Sequence, residues 1–143
     1  MGVLLGPIEN ELERFKWLVS DLEINTSQML DLPINHEEDW FLISANEMEQ
    51  LRASDAQIVW GVFAAVDRDR ELHVTEETLP AAEGVPQIWK NGNLQVRESE
   101  IEIIAWDSSY TIIKFTDSKL SMKFKDYFSE AIELEKYQWK NRN

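Results

Sequence analysis

The chain has 143 residues, with 27 acidic and 14 basic side chains, two histidines and no cysteine. Its formal net charge is −13, and 43% of its residues are apolar, with six tryptophans in the chain. This composition excludes a disordered acidic tail, a disulfide framework, and any site that needs a cysteine thiolate. The length is enough to bury a hydrophobic core, and we expect a single domain over residues 1–143.

The opening segment is compatible with a helix or a strand. Apolar residues recur at helical spacing through it, but Phe15, Trp17 and Val19 also alternate as in a strand. We predict a short helix near residues 7–14 and a strand near residues 15–24.

The next segments have clearer patterns. Residues 25–39 are polar and contain a proline, which is typical of a loop, and the apolar run 40–43 predicts a short buried strand. Ser44 and Glu47 have the spacing of a capping box, so a short helix is expected after them. Residues 57–66 are rich in Val, Ile, Trp and Phe and predict a central strand.

The second half predicts a long loop, a β-hairpin and a helix. Residues 75–99 contain two prolines and two glycines, and a short hairpin is expected there around Asn91-Gly92. Alternating residues at 100–106 and 110–115 flank a turn, which is typical of a hairpin. Asp117 or Ser118 can cap a final helix.

This order of elements shows no regular strand–helix–strand alternation. We therefore predict an α+β fold with a mainly antiparallel sheet of about five strands and two or three helices. The C-terminal β-hairpin is expected to be followed by a helix.

Motifs for catalysis or metal binding are few. His36 precedes Glu37, Glu38 and Asp39, but neighbouring side chains rarely converge on one ion, so we expect an exposed acidic loop. The sequence lacks a glycine-rich phosphate loop and a nucleophile elbow. Asp107 is the first candidate for a catalytic carboxylate pair, but an aspartate there also fits a hairpin turn. We predict no catalytic residue, cofactor or metal ion.

The acidic charge is concentrated in the first part of the chain. Residues 1–113 carry 22 acidic and 7 basic side chains, a net charge of −15, whereas residues 114–143 carry 5 and 7, a net charge of +2. Such a field repels nucleic acids and anionic lipids, so we expect no direct contact with either. It attracts a basic protein, but it also keeps a small protein soluble, and the charge alone does not decide between these roles.

The apolar segments are too short for a membrane protein. The longest apolar run covers residues 58–66, whereas a membrane-spanning helix needs roughly 20 residues. The N-terminus has no basic start and no long apolar stretch, unlike a signal peptide. We therefore expect a cytoplasmic protein.

Two tryptophans are candidates for partner binding. An aromatic side chain beside carboxylates is typical of an interface with an Arg- or Lys-rich partner. Trp40 directly follows Glu37, Glu38 and Asp39, and Trp89 lies in the predicted long loop. These five residues are the predicted partner-binding residues. The alternative is that each tryptophan covers the sheet as a core residue.

The C-terminal part resembles a known group of proteins. Residues 103–113 and 120–131, which include Trp106-Asp107 and Ser129-Glu130-Ala131, resemble the last third of many small uncharacterised bacterial proteins, some of them similar to immunity proteins that neutralise toxins. Ser129 replaces the proline of their pattern. The resemblance implies a strand–strand–helix unit and specifies no active site.

These observations lead to one main hypothesis and two alternatives. The main hypothesis is a non-enzymatic acidic module that binds a basic protein, with an immunity-type inhibitor of a basic bacterial toxin as one form. One alternative is a nucleic-acid mimic that inhibits a DNA-binding enzyme. The other is a small enzyme that uses a carboxylate pair.

Overall fold

The computed structural model describes residues 3–27 and 31–137 and contains one antiparallel sheet of five strands. The strands lie side by side in the order β2-β1-β3-β4-β5. They are β1 (Phe15–Asn25), β2 (Trp40–Ile43), β3 (Gln57–Asp67), β4 (Ser99–Trp106) and β5 (Tyr110–Phe115). The α-helices are α1 (Ala45–Ala53) and α2 (Ser118–Tyr127), and the 3-10 segments are Gly6–Arg14, Glu76–Thr78, Pro86–Trp89 and Leu134–Lys136. The predicted α+β fold with an antiparallel sheet is confirmed.

The ambiguous opening segment forms a short helix and then a strand, as predicted. The helix is of the 3-10 type, and Ile8 and Leu12 are its buried residues. The strand starts at Phe15, because from there alternate side chains enter the core: Phe15 and Trp17 are 1% and 0% exposed. Tertiary burial therefore decides between the two periodicities.

The helix α1 begins at the predicted capping box. The Glu47 amide donates to Ser44 Oγ at 3.2 Å, and the Ser44 amide donates to Glu47 Oε1 at 3.0 Å. These bonds satisfy helix-end amides that have no partner within the helix. Met48 and Leu51 face the core from this helix.

The hairpin of β4 and β5 turns at residues 107–109, as predicted. Asp107 and Ser108 have φ values of 52° and 57°, the left-handed region typical of tight hairpin turns. The Ser109 amide donates to the Trp106 carbonyl at 3.1 Å and closes the turn. Helix α2 follows, capped by Asp117, whose Oδ1 accepts from the Lys119 amide at 2.8 Å. The predicted hairpin–helix ending is matched only in part, because a further segment with its own 3-10 turn follows α2.

The prediction of a short hairpin around Asn91-Gly92 is wrong. The described residues 68–98, here called the cover segment, contain two short 3-10 turns and no strand. Gly92 has a φ of 80° and takes part in a turn that leads to no strand pair. The segment instead buries Ala82, Ile88 and Val96 against the sheet, so its apolar side chains serve the tertiary fold.

The two faces of the sheet are covered differently. One face, here called the helix face, packs against α1, α2 and the segment Gly6–Arg14; its core comprises Leu5, Ile8, Leu12, Phe15, Trp17, Val19, Ile43, Met48, Leu51, Phe63, Ala65, Ile101, Ile103 and Leu120. The other face, here called the loop face, packs against the cover segment; its buried apolar residues are Leu18, Val62, Ala64, Val66, Ala82, Ile88, Val96, Ile104 and Ile112.

Candidate binding groove

The predicted partner-binding residues lie in two separate places. Glu37, Glu38 and Asp39 are exposed in the turn before β2, here called the acidic loop, and Trp40 is half-buried at the start of β2. Trp40 packs on the loop face near Leu18, whereas Trp89 packs near β4 and β5. Because β2 and β5 are opposite edges of the sheet, the structure does not bring the two tryptophans together.

Trp89 belongs to an aromatic cluster at the β5 edge of the sheet. Its ring lies 5.7 Å from that of Trp106, 5.9 Å from that of Tyr110 and 5.8 Å from that of Tyr137, measured between centroids. Trp60 joins through Trp106 at 5.2 Å. Offset and edge-to-face pairs at these distances stabilise a cluster by about 0.5–1.5 kcal/mol each beyond the area that they bury. The cluster fixes one end of a groove.

This groove, here called the β5 groove, has a volume of about 1070 Å³. It is comparable with the largest small-molecule pockets, which span roughly 300–1,000 Å³. One wall is made by the end of the cover segment, including Trp89 and Leu94, and the other by α2 and the segment after it, including Phe124 and Phe128. Residues 111–116 all line the groove between these walls.

The groove runs along the free edge of β5. Side chains of a strand point alternately to the two faces of the sheet, so a groove on one face would be lined by every second residue. Residues 111–116 all line this groove, and it therefore follows the backbone edge of the strand. No other described strand pairs with β5 on that side. The groove therefore contains a sheet edge whose outward backbone groups have no strand partner among residues 3–27 and 31–137.

The rim of the groove is acidic. Glu130, Glu133 and Glu135 line it from the segment after α2, and all three are exposed. Glu133 forms an ion pair with Lys136 at 2.8 Å, and this hydrogen bond and charge hold the pKa of the Glu133 carboxyl below its usual range. Lys136 therefore offsets part of the negative charge of the rim, and Glu135 also accepts from Asn91 Nδ2 at 3.4 Å.

The lysines of the groove are bound to backbone carbonyls. Lys125 Nζ donates to the carbonyls of Ser129 and Ala131, which ties α2 to the segment after it. Lys114 is 7% exposed, and its Nζ donates to the Asn93 carbonyl at 2.7 Å. Since these two ammonium groups are held by the fold, the rim presents the carboxylates of the three glutamates together with Lys136, which pairs with Glu133.

A buried carboxyl lies next to Lys114 on the loop face. Glu102 and Lys114 are cross-strand partners in β4 and β5, and Glu102 is 0% exposed. Burial raises the pKa of Glu102, against the lowering effects of the Gln95 amide and the Lys114 charge. Burial lowers the pKa of Lys114, and the Glu102 charge opposes this shift.

The hydrogen bonds of this pair hold the cover segment. Glu102 Oε2 accepts from the Gln95 amide at 2.7 Å, while Oε1 has no hydrogen-bond partner among the described residues. The carboxyl is shielded from solvent, so a substrate has no access to it in this structure. The geometry suits a tether between strand and cover segment rather than an acid or base.

The remaining predicted chemistry lies on open surface. His36 is exposed in the acidic loop, and Asp107 is exposed in the hairpin turn. Among residues 3–27 and 31–137, no group of three or more His, Asp or Glu side chains could hold a metal ion. Within the same residues, no helix has the length and apolar character needed to cross a membrane.

The sequence singled out Trp89 but missed the rest of the groove. The partners of Trp89 in the aromatic cluster come from β3, β4, β5 and the end of the described chain, and no spacing in the sequence links them. The glutamates at 130, 133 and 135 carry a detectable signal, an acidic run in an otherwise basic C-terminal part. A scan against protein-family models, a search of curated proteins and a search of solved structures gave no match.

Proposed function

We propose that this chain is a non-enzymatic binding protein whose partner is a basic protein. The observation that carries the proposal is the β5 groove, which combines an aromatic end, apolar walls and an acidic rim on a chain of net charge −13. An apolar centre inside a charged rim is the usual anatomy of a protein interface. The field of the whole chain favours and accelerates encounter with a positively charged partner.

An immunity-type inhibitor of a basic toxin is the specific form of this proposal. An inhibitor needs a tight complex and no chemistry of its own, and the described residues form a groove, while the Glu102 carboxyl is buried under the cover segment. Residues 103–113 and 120–131 resemble small uncharacterised bacterial proteins, some of them similar to immunity proteins, and this resemblance supports the same form. A toxin gene next to the gene for this chain would strengthen it.

The test is affinity capture from the source cell with two variants of equal charge. The groove variant carries Glu130→Gln, Glu133→Gln and Glu135→Gln; the acidic-loop variant carries Glu37→Gln, Glu38→Gln and Asp39→Asn. Both variants lose three negative charges, so bulk charge changes equally. We expect wild type to capture a basic protein at low salt, and the purified partner to bind the groove variant about tenfold more weakly, roughly 1.4 kcal/mol.

The acidic-loop variant should bind within about threefold of wild type, because it changes only long-range attraction, which salt screens over about 8 Å. Equal weakening of both variants would mean that bulk charge, and not the groove, attracts the partner. Capture of acidic proteins alone, or of none, would contradict the proposed function. A captured DNA-binding enzyme that duplex DNA displaces would favour the nucleic-acid mimic instead.

A further inference from the structure

The β5 edge presents three outward-facing backbone positions. The Thr116 amide donates to the Glu100 carbonyl at 2.9 Å, which makes this pair a hydrogen-bonded pair of the β4–β5 ladder. In an antiparallel ladder such pairs alternate with non-bonded ones. Counting along the register, Thr111, Ile113 and Phe115 are at the non-bonded positions, so their amides and carbonyls point away from β4 into the groove.

The edge is recessed between two walls. The cover-segment wall with Trp89 and the α2 wall with Phe124 both line the same groove as residues 111–116. The edge of a second sheet carries its own flanking layers, and these would meet the two walls of the groove. A single extended chain is narrow enough to enter, because neighbouring strands lie only about 4.8 Å apart.

We propose that the partner inserts an extended, basic and apolar segment that adds a sixth strand to the sheet at β5. This inference rests on the proposed function and specifies how the groove is used. Strand addition of this kind obtains affinity from backbone hydrogen bonds and specificity from side-chain contacts at alternate positions.

The walls define the side chains of the added strand. Side chains of an added strand alternate between the two walls, so apolar residues at every second position contact the α2 wall, and the positions between them face the wall with Trp89 and Tyr137. Residues that reach the rim meet Glu130, Glu133 and Glu135, so arginine or lysine is favoured there. The groove therefore selects a segment in which basic and apolar residues alternate.

The direct test uses the full-length chain and a defined probe. The probe is an acetylated and amidated octapeptide of alternating arginine and valine, and the readout is amide hydrogen exchange by NMR. Strand addition should slow exchange at least tenfold at the outward amides of Thr111, Ile113 and Phe115. The inward amides of Ile112 and Lys114, which already donate to β4, should change by less than twofold.

A matched pair of variants tests the same bond from the protein side. Thr111→Pro removes one outward amide donor at an exposed edge position, where proline is tolerated in a strand. Thr111→Val keeps the donor and the β-branched shape. We expect the proline variant to bind the octapeptide roughly three- to tenfold more weakly, the effect of one hydrogen bond. The valine variant should bind within twofold of wild type.

The outcomes separate this inference from the proposed function. If the octapeptide or a basic partner binds, but the outward amides exchange as before and Thr111→Pro binds like wild type, strand addition is overturned and partner binding stands. If urea titration shows that the proline variant is not folded, the hydrogen-exchange measurement on the wild-type chain alone decides whether a strand is added. Outward amides that are protected without any peptide, in a monomer or a dimer, would mean that this chain itself fills the edge, and would overturn the inference.

Discussion

The two faces of the sheet are both buried, but by different means. The helix face is closed by apolar side chains from regular elements whose periodicity brings them together, such as Met48 of α1 and Leu120 of α2. The loop face is closed by an irregular segment that polar side chains of the sheet hold in place. Ser20, Glu102 and Lys114 are buried there among the apolar residues.

The polar contacts of the loop face end on backbone atoms of the cover segment. Ser20 Oγ donates to the Pro80 carbonyl at 2.7 Å, and Asp21 Oδ2 accepts from the Ala82 amide at 2.8 Å. A segment with only two short 3-10 turns and no strand has backbone groups that need partners when it is buried, and these side chains supply some of them. Part of the loop face is therefore polar, and its hydrogen bonds fix the irregular conformation of the cover segment. That segment forms one wall of the β5 groove.

The largest expected effect is on the helix face. Phe63 is 0% exposed in β3, and Phe63→Ala should lower the free energy of unfolding by about 3–5 kcal/mol through lost burial and a cavity. Urea unfolding followed by tryptophan fluorescence measures it. Because this face is apolar around Phe63, the loss should be the same at pH 5 and pH 8.

The control on the same face is Met122→Ala, since Met122 is 64% exposed on α2 and should change stability by no more than about 0.5 kcal/mol. A loss below 1 kcal/mol for Phe63→Ala, or a strong dependence on pH, would remove the contrast between the faces.

The second effect is on the loop face. Lys114→Met keeps a long side chain but removes the ammonium that bonds Asn93 and Gln87 and faces the charge of Glu102. We expect a loss of about 2–3 kcal/mol, because the part-buried Asn93 carbonyl loses a charged donor and the Glu102 carboxyl loses the favourable charge of Lys114. Hydrogen exchange should accelerate first in the cover segment near Asn93.

Lys119→Met is the matched control, because Lys119 is exposed on α2. Its effect should stay within about 0.5 kcal/mol. If Lys114→Met changed stability as little as this control, the buried lysine would not be a tether, and the cover segment would be held by its apolar contacts alone.

The third effect separates hydrogen bonding from backbone strain at Asp21. This residue has a φ of 53° within β1, where the register to β3 shifts, and its carboxylate accepts from the amides of Ala82 and Glu83. Asp21→Ala should cost about 2 kcal/mol through the lost hydrogen bonds. Asp21→Gly loses the same bonds but adopts a positive φ readily, so it should cost about 1 kcal/mol less.

Asp21→Asn is the conservative comparison, since asparagine keeps an acceptor oxygen and tolerates a positive φ. The urea unfolding midpoints of the three variants rank their stabilities. An alanine variant as stable as the asparagine variant would show that the two amide bonds contribute nothing.

The contrast between the faces also explains what the sequence could predict. The capping box at Ser44 and Glu47 and the alternation through β4 and β5 are local signals, and the structure confirms the elements that they predict. The cover segment has no periodicity, and its conformation depends on side chains far along the chain, so the predicted hairpin at Asn91-Gly92 failed. Alternation groups Glu102 with the polar positions of β4, which is typical of a solvent-facing side, yet a distant segment buries it.

The candidate site also combines features that are visible locally in the sequence with features that depend on tertiary contacts. Trp89 stood out because it is an aromatic residue in a loop, but the groove around it forms only when the cover segment, β5 and the segment after α2 meet. The acidic loop was equally visible in the sequence, yet it lies at the other edge of the sheet. The sequence could therefore single out both places, but their separation on opposite edges of the sheet and the groove around Trp89 required tertiary structure.

The smallest expected effect is the pH dependence of stability that arises from the ionisation of Glu102. Burial raises the pKa of this carboxyl in the folded state above its ordinary value of about 4.3, so the folded chain holds the proton more tightly than the unfolded chain. Stability from this group is present below pH 4 and falls as the pH rises through the raised pKa. Glu102→Gln keeps the shape but cannot ionise, so its stability relative to wild type should increase from pH 4 to pH 8.

The variant series makes this test specific to the loop face. Because the Lys114 charge lowers the pKa of Glu102, the Lys114→Met chain should lose more stability than wild type over the same pH range, and adding Glu102→Gln to it should abolish that excess. Phe63→Ala should leave the pH dependence unchanged. A Glu102→Gln chain whose stability relative to wild type falls between pH 4 and pH 8 would mean that the folded state favours the ionised carboxylate, which would make the loop face an ion-pair site rather than a desolvated tether.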